Sequence, residues 1–144
     1  MILPDRISKA IADMIEGTGI SVTVQGAVEP TINATTYSRI VSHVTSCSQR
    51  SFVLKGIYDV MGDVTLIQSI DQDNADTLFR ANCARLREIL SDESLTTVSI
   101  TAYDSDLHIY NRSWQLTDMQ QDAGERGFKA TFSWKALVRD TLNT

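Results

Sequence analysis

The stretch Val64-Thr-Leu-Ile-Gln-Ser-Ile70, with the acidic turn Asp71-Gln-Asp-Asn74 and the run Ala75–Leu90 that follow it, decides the fold. Its first part places apolar residues at the two-residue period of a β-strand, and its last part places them three and four apart, as in an amphipathic helix. At ~1.5 Å per residue this helix is about 25 Å long, enough to cover one face of a small sheet. We therefore expect a strand that runs directly into a helix packed over the sheet.

Acidic and amide side chains mark the start of this helix. Asp71, Asp73 or Asn74 can accept hydrogen bonds from the free amides of the first turn, and negative charge is favourable at this end of the helix dipole. The predicted buried stripe of the helix consists of Ala75, Leu78, Phe79, Asn82, Leu86, Ile89 and Leu90.

Length and composition predict one globular domain over residues 1–144, with a core that needs neither metals nor disulfides. There is no run of about 18 apolar residues to span a membrane, and the N-terminal residues lack the pattern of a secretory signal. Cys47 and Cys83 have no CxxC spacing, so we expect both to be reduced and buried. These features fit synthesis in a reducing cytoplasm.

The net charge of the chain bears on whether it binds nucleic acids. With 18 acidic and 13 basic residues, the net charge is -5. Proteins that coat duplex DNA draw their affinity from Lys and Arg, so this balance argues against that class. An acidic protein suits a passage through which DNA slides without adsorbing.

The rest of the chain predicts a second helix and several strands. Leu3–Ile15 has an amphipathic pattern that ends near Gly17 and Gly19. Runs that alternate or are rich in β-branched residues predict the strands. The predicted strands are Ile20–Gln25, Tyr37–Cys47, Phe52–Val60, Val64–Ile70, Thr96–Tyr103, Leu107–Thr117 and Phe128–Val138, with a loop at Ala27–Thr36, turns at Ser48–Ser51 and Gly62–Asp63, and a bulge or bend at Gly56.

The last two strands predict a long C-terminal β-hairpin. Its arms carry Trp114 and Trp134, and the inward side of the second arm predicts a core position for Trp134. If the hairpin projects instead, the two tryptophans become contact anchors between subunits. The segment Asp118–Gly127 between the arms is polar, with Met119 as its one apolar anchor, and long loops in compact domains are commonly functional. The predicted fold class is α+β: a mainly antiparallel sheet with two helices, one packed over a sheet face, and this hairpin.

One segment has the spacing of a metal site. Asp104, Asp106 and His108 are two residues apart and would project from one side of an extended strand. No fourth ligand is indicated, and a polar turn before a solvent-facing strand explains the same residues. The Asp71–Asn82 segment begins like a calcium-binding loop but lacks the required Gly and Glu, so a helix start is the better interpretation.

Patterns of nucleophilic catalysis are absent from the sequence. There is no Gly-x-Ser-x-Gly elbow and no phosphate-binding glycine loop. Ser42 and His43 are neighbours in a strand, so they face opposite sides of the sheet. Arg80, Arg85 and Arg87 are predicted to spread over a solvated helix face. We expect no catalytic, cofactor-binding or metal-binding residues, and a protein that is not an enzyme.

The order of elements resembles that of the tail terminator, or tail completion, proteins of long-tailed bacteriophages. The resemblance is carried by Val64–Leu90 and by Trp114–Trp134 with the Gln121-Asp-Ala-Gly124 loop, together with the first helix. It consists of a pattern of elements, and Ala27–Arg50 adds a loop and strand outside that pattern.

The resemblance implies a non-enzymatic virion protein at the head–tail interface, made in the host cytoplasm. Such a protein forms a homo-oligomeric ring, a hexamer in the family pattern, that caps the tail tube and docks to the head connector. DNA passes through the lumen without specific binding, and no membrane is involved. Under this resemblance the residues that contact partners or line the lumen are in the hairpin loop: Asp118, Gln121, Asp122, Glu125 and Arg126.

Two alternatives remain open from the sequence. One is another head–tail neck or head-completion protein, which shares the size and the lack of catalytic residues. The other is a small enzyme or ligand-binding α+β domain whose site is built from scattered residues. A metal-dependent version would use Asp104, Asp106 and His108.

Overall fold

The computed structural model describes residues 2–26, 38–50, 56–69, 73–92, 100–110, 112–124 and 127–143. The α+β class predicted from sequence is confirmed, because helices pack against a mostly antiparallel sheet. The elements in chain order are α1 (Leu3–Gly17), β1 (Thr23–Gly26), β2 (Ser38–Gln49), β3 (Ile57–Ser69), α2 (Ala75–Ser91), α3 (Ile100–Tyr103), β4 (Leu107–Ile109), β5 (Gln115–Gly124), β6 (Gly127–Asp140) and a 3₁₀ turn (Thr141–Asn143).

The sheet is built around the long strands β3 and β6. The strand order is β1-β2-β3-β6, and the far side of β6 pairs with β5 along one part and with β4 along another. The β1–β2 pair is parallel and the other pairs are antiparallel. In this register Val64 lies between Ser42 of β2 and Phe132 of β6 on one face of the sheet.

The two long helices pack on that same face. Helix α1 contacts β1 and β2, and α2 contacts β3, β6 and β5. Val64, Leu66 and Phe132 are fully buried beneath them. The predicted stripe of α2 is confirmed in outline, with Leu78 and Asn82 only half-buried and Cys83 added to the buried set. One face of the sheet is therefore covered by helices and carries the core.

The turn predicted at Gly62–Asp63 is wrong, because β3 continues through both residues. Gly62 is flanked by Val44 and Trp134 in the register of the sheet. A Cβ at Gly62 would lie 2.6 Å from Trp134 Cζ2, so the glycine makes room for the indole ring. This glycine serves close packing inside a strand, and the two strands predicted around it are one.

Other local predictions need correction. Residues Ile100–Tyr103 form a helical turn where a strand was predicted, and Ser48 and Gln49 extend β2 where a turn was predicted. Strand β1 begins at Thr23, later than the predicted start at Ile20. Gly56 adopts φ +83° at a turn before β3, which suits a glycine. The predicted loop Ala27–Thr36, Asp71 and residues 96–99 lie outside the described residues.

The start of α2 differs from the predicted side-chain cap. Asn74 is the residue before the helix and has φ 59°, and its side chain makes no capping hydrogen bond. Asn tolerates the left-handed conformation better than most residues because its short polar side chain interacts locally. The predicted boundary at Ala75 is confirmed, but the backbone conformation of Asn74, not its side-chain oxygen, makes the turn.

Two polar contacts fix α1 on the sheet. Ser8 Oγ accepts a hydrogen bond from the Val44 amide at 3.0 Å, next to an irregularity in the β2–β3 pairing. At the other end of the sheet, Arg6 forms ion pairs with Asp104 at 3.2 Å and with the fully buried Asp140 at 3.1 Å. Burial lowers the pKa of Arg6, and the hydrogen bonds to Asp104 and Asp140 more than offset this, so its pKa is raised.

Candidate functional site

The predicted interface loop is largely a strand. Asp118, Gln121 and Asp122 lie in β5, which extends the hairpin to Gly124, so the loop prediction is wrong for these residues. Polar residues alternate there with Met119, and pairing with β6 gives each of them a fixed direction. The other two predicted site residues, Glu125 and Arg126, lie outside the described residues.

The faces of β5 follow from its register with β6. Met119 is paired with the buried Phe132, and Gln121 with the buried Ala130, so both point to the helix-covered face. Asp118 and Asp122 are paired with Ser133 and Lys129 and point to the opposite face, where both are exposed. The predicted site residues are therefore divided between the two faces of the sheet.

Asp118 organises the backbone around an irregularity in β5. The register shifts between Leu116 and Asp118, which leaves Thr117 as an extra residue. The Asp118 carboxylate accepts hydrogen bonds from the Met119 amide at 2.8 Å and from the Gln120 side chain at 3.3 Å. Bulges of this type are common at sheet edges, where they change the direction of the strand.

Strand β5 is an edge strand among the described residues. It pairs with β6 on one side, and no described strand pairs with its other side. At the other end of the sheet β1 likewise pairs only with β2 within the described ranges. An unpaired edge presents amide and carbonyl groups that can extend the sheet with another chain. The short strand β4 also pairs only with β6 in the described ranges, so one edge of the described sheet is formed by β1 and the opposite edge by β5 and β4.

A groove runs between α2 and the edge strand β5. It contains two open depressions of about 250 and 200 Å³. Its floor includes the half-buried Met119 and a stacked pair of rings, Phe79 and Phe128, with centroids 5.2 Å apart. The lining residues are Asp76, Phe79, Arg80, Cys83, Ala84 and Arg87 from α2, Met119, Gln121 and Asp122 from β5, and Phe128 from β6.

Two arginines of α2 point along this groove. Arg80 and Arg87 are seven residues apart, which places them on one side of a helix. Arg80 forms an exposed ion pair with Asp76 at 3.3 Å, and among the described residues no carboxylate forms an ion pair with Arg87. Arg85 points elsewhere and pairs with Glu88. The sequence analysis predicted arginines spread around the helix and did not recognise that Arg80 and Arg87 share one side of it.

The metal candidate is not assembled. Asp104 and Asp106 lie in the turn before β4, and only His108 is in the strand. Asp104 is bound to Arg6, and Asp106 accepts a hydrogen bond from Thr141 at 3.1 Å. Across the described ranges, no group of three His, Cys, Asp or Glu side chains is placed to hold a metal ion.

The face of the sheet opposite α1 and α2 carries a wider cleft, which the sequence analysis did not predict. It measures about 460 Å³ and lies where the edge passes from β4 to β5. Lys135 and the 51%-exposed Met61 are neighbours there, and Arg50 stands 4.0 Å from Asp59 across the rim. The only sequence signal for it is the alternation of β6, which places Lys135 on the face opposite Trp134.

The cysteines and the Ser42–His43 pair agree with the sequence prediction in part. Both cysteines are free thiols, Cys83 buried and Cys47 half-buried. Burial raises the pKa of Cys83 to about 11 and also raises that of Cys47, so neither thiol is activated. Ser42 is fully buried and His43 exposed on opposite faces, as predicted.

Comparison with known proteins does not assign this chain to a family. No protein-family model matches this chain, and no curated protein sequence matches it significantly. Within the described part of the chain, no helix has the length and apolar character needed to cross a bilayer.

Proposed function

We propose that this protein is a non-enzymatic virion component, a tail terminator that assembles as a ring, caps the tail tube and docks it to the head connector. The proposal combines the element order of the sequence with one structural observation. That observation is the presence of two unpaired sheet edges, β1 and β5, at opposite ends of one sheet within the described residues.

Two different edges support ring assembly for a geometric reason. In a closed ring, one surface of each subunit meets a different surface of the next. The β5 edge is bordered by α2, and the β1 edge is bordered by α1. The two surfaces are therefore chemically distinct and belong to the same layer, which is what a head-to-tail contact needs.

The action of such a ring is physical. Bound to the last ring of the tube, it blocks the addition of further tube subunits and offers a new surface to the head connector. The exposed carboxylates of Asp118 and Asp122, on the face of the sheet away from the helices, would repel DNA phosphates in a lumen. DNA then passes without specific binding.

The proposal is tested with the purified protein and polymerising tail tube subunits. Light scattering with negative-stain imaging is expected to show annular particles, and adding the protein is expected to stop tube growth at one end. Bovine serum albumin at equal mass is the control for non-specific effects. A protein that neither forms rings nor binds tube ends would contradict the proposal.

A further inference from the structure

The directions of the two edge strands follow from the pairings between them. β1 is parallel to β2, and each of the next three pairs, β2–β3, β3–β6 and β6–β5, is antiparallel. β5 therefore runs opposite to β1. When a second copy is placed in the same orientation beside the first, its β1 lies antiparallel to β5, and its α1 lies next to α2 because both helices cover the same face.

The groove beside β5 has the spacing that an added strand requires. Met119 and Gln121 are two residues apart on the helix side of β5, an interval of roughly 6.6–6.8 Å. An added antiparallel strand presents its side chains at the same interval, so alternate residues enter the two depressions. Val24 of β1 is a half-buried apolar residue that packs against the core under α1. In an added copy this side chain would lie on the same face of the sheet as Met119.

The helices that border the two edges have opposite charge. On the α2 side, the helix contributes Arg80, Arg87 and Asp76 to the groove, and the other charged lining residue, Asp122, belongs to β5 and by its register points to the opposite face of the sheet. Basic side chains are therefore in excess on the helix side of the groove.

On the α1 side, acidic residues are in excess. Lys9 lies against β1, because a Cβ at Gly26 would be 2.8 Å from Lys9 Cα. The Lys9 ammonium pairs with Asp13 at 2.7 Å, and its pKa is raised first by that hydrogen bond and further by the charges of Asp13 and Glu16. Glu16 is seven residues from Lys9, so it lies on the same side of α1 as Lys9 and near β1, where it can face the arginines of a neighbouring α2.

The same charges disfavour the two-fold alternatives. Pairing β5 with β5 of another copy would bring two copies of the Arg80 and Arg87 surface together, and pairing β1 with β1 would do the same for the Glu16 surface. Like charges placed together across an interface disfavour association. The edges are thus complementary to each other and each repels itself, which favours a head-to-tail contact over a two-fold dimer.

We propose that the partner of the β5 edge is a second copy of this chain. The β1 edge of that copy adds to the sheet antiparallel to β5, and its α1 packs beside α2 with Glu16 facing Arg87. This inference rests on the ring assembly proposed above and names the surfaces that form it.

Charge reversal tests the contact. Arg87→Glu and Glu16→Arg are each expected to weaken self-assembly on the order of tenfold or more, because each creates a like-charge contact at every junction. The double variant Arg87→Glu/Glu16→Arg restores the attraction and is expected to assemble like the wild type. Arg85→Glu is the matched control, since Arg85 is on the same helix but outside the groove. Masses are measured by light scattering, with circular dichroism to verify folding.

An equimolar mixture of the two single variants sharpens the test. In a head-to-tail ring every junction between unlike variants is attractive, so the mixture is expected to form rings of alternating subunits. A mixture that stops at heterodimers would show β5–β5 pairing and overturn the inference. Single variants that assemble as well as the wild type would overturn the edge contact and leave the ring intact. A wild-type protein that stays monomeric would overturn the ring itself and the edge contact with it.

Discussion

At the scale of single residues, the structure depends on a few positions where the side chain, or its absence, fits one neighbour. Gly62 accommodates the indole of Trp134, Arg6 joins two aspartates, and Asp118 organises the edge of β5. Each involves a contact between residues far apart in the chain or a special backbone arrangement. Their effects are therefore measurable by single substitutions.

Gly62→Ala is expected to destabilise the protein by about 1–3 kcal/mol, the usual range for overpacking a core. The new Cβ would lie 2.6 Å from the Trp134 ring and 2.9 Å from the His43 carbonyl oxygen. Urea unfolding measures the change. Met61→Ala, next in the strand and on the open face, is the control and is expected to change stability little. Equal stabilities of the two variants would contradict the packing role of Gly62.

Asp140→Asn is expected to cost about 3–5 kcal/mol, because it leaves the Arg6 charge without one of its partners in a largely buried site. Thermal and urea unfolding measure the loss. Asp59→Asn removes an exposed carboxylate at 4.0 Å from Arg50 and serves as the control, with little change expected. If the two variants lose similar stability, the buried ion pair is not structural.

Cys83 gives the fold a defined alkaline sensitivity. Its pKa is raised by burial from 9.0 to about 11, so the folded state holds the proton more tightly than the unfolded state does. The contribution of the Cys83 thiol to the free energy of unfolding is fully present below pH 9 and is lost as the pH rises toward 11. Cys83→Ala is expected to lose less stability than the wild type between these pH values. Parallel stability curves would contradict this reading.

At the scale of elements, side chains far apart in sequence hold the helices on the sheet. Trp114 stacks on Trp134 with ring centroids 4.8 Å apart, and its indole N–H donates to the Leu90 carbonyl at 2.8 Å. That carbonyl is in the last turn of α2, and the last carbonyls of a helix lack partners within the helix. Trp114, 24 residues further along the chain, therefore caps the helix and fixes α2 over the hairpin.

Trp114→Phe keeps an aromatic ring but removes the N–H donor. It is expected to destabilise the protein by about 1–3 kcal/mol and to speed amide exchange in the last turn of α2. The amides of the first turn, near Ala75, are the internal control and are expected to keep their relative protection. Uniformly faster exchange along α2 would mean that the hydrogen bond has no local role.

At the scale of the whole molecule, the two long helices cover one face of the sheet, and the opposite face is exposed at β5 and at Met61, although it also carries buried residues such as Val41 and Ile67. The helices leave Asp118 and Asp122 on the open face, beside the free edge of β5. Partners of a ring would meet these carboxylates without any rearrangement of the core.

The double change Asp118→Asn/Asp122→Asn is expected to leave folding intact, because both side chains are exposed and the amide oxygen of Asn can still accept the Met119 hydrogen bond. Head–tail joining is expected to fall, and the infectivity of particles assembled with the variant measures it. Glu88→Gln, an exposed change on α2, is the control. Unchanged infectivity of the double variant would remove these residues from the joining surface.

Much of the fold is determined by local sequence patterns. The periods of Leu3–Ile15 and Ala75–Leu90 predicted both long helices, and the alternation ending at Val138 predicted most of β6. Hydrophobic periodicity has this power because one buried face specifies the element that presents it. The polar composition of residues 118–124 led to the wrong prediction of a loop. An edge strand needs few apolar side chains, and the register of this one is set by its pairing with β6.

The sequence by itself determined the class of the protein: two amphipathic helices and a mainly antiparallel sheet, because these depend on local periodicity and residue type. Only the tertiary structure decided where the edges of the sheet lie, that Arg80 and Arg87 share a groove with Met119, and that Asp104 forms an ion pair with Arg6. These facts depend on strand order and on contacts between distant residues. Such contacts form only when the whole chain packs, so no short stretch of sequence encodes them.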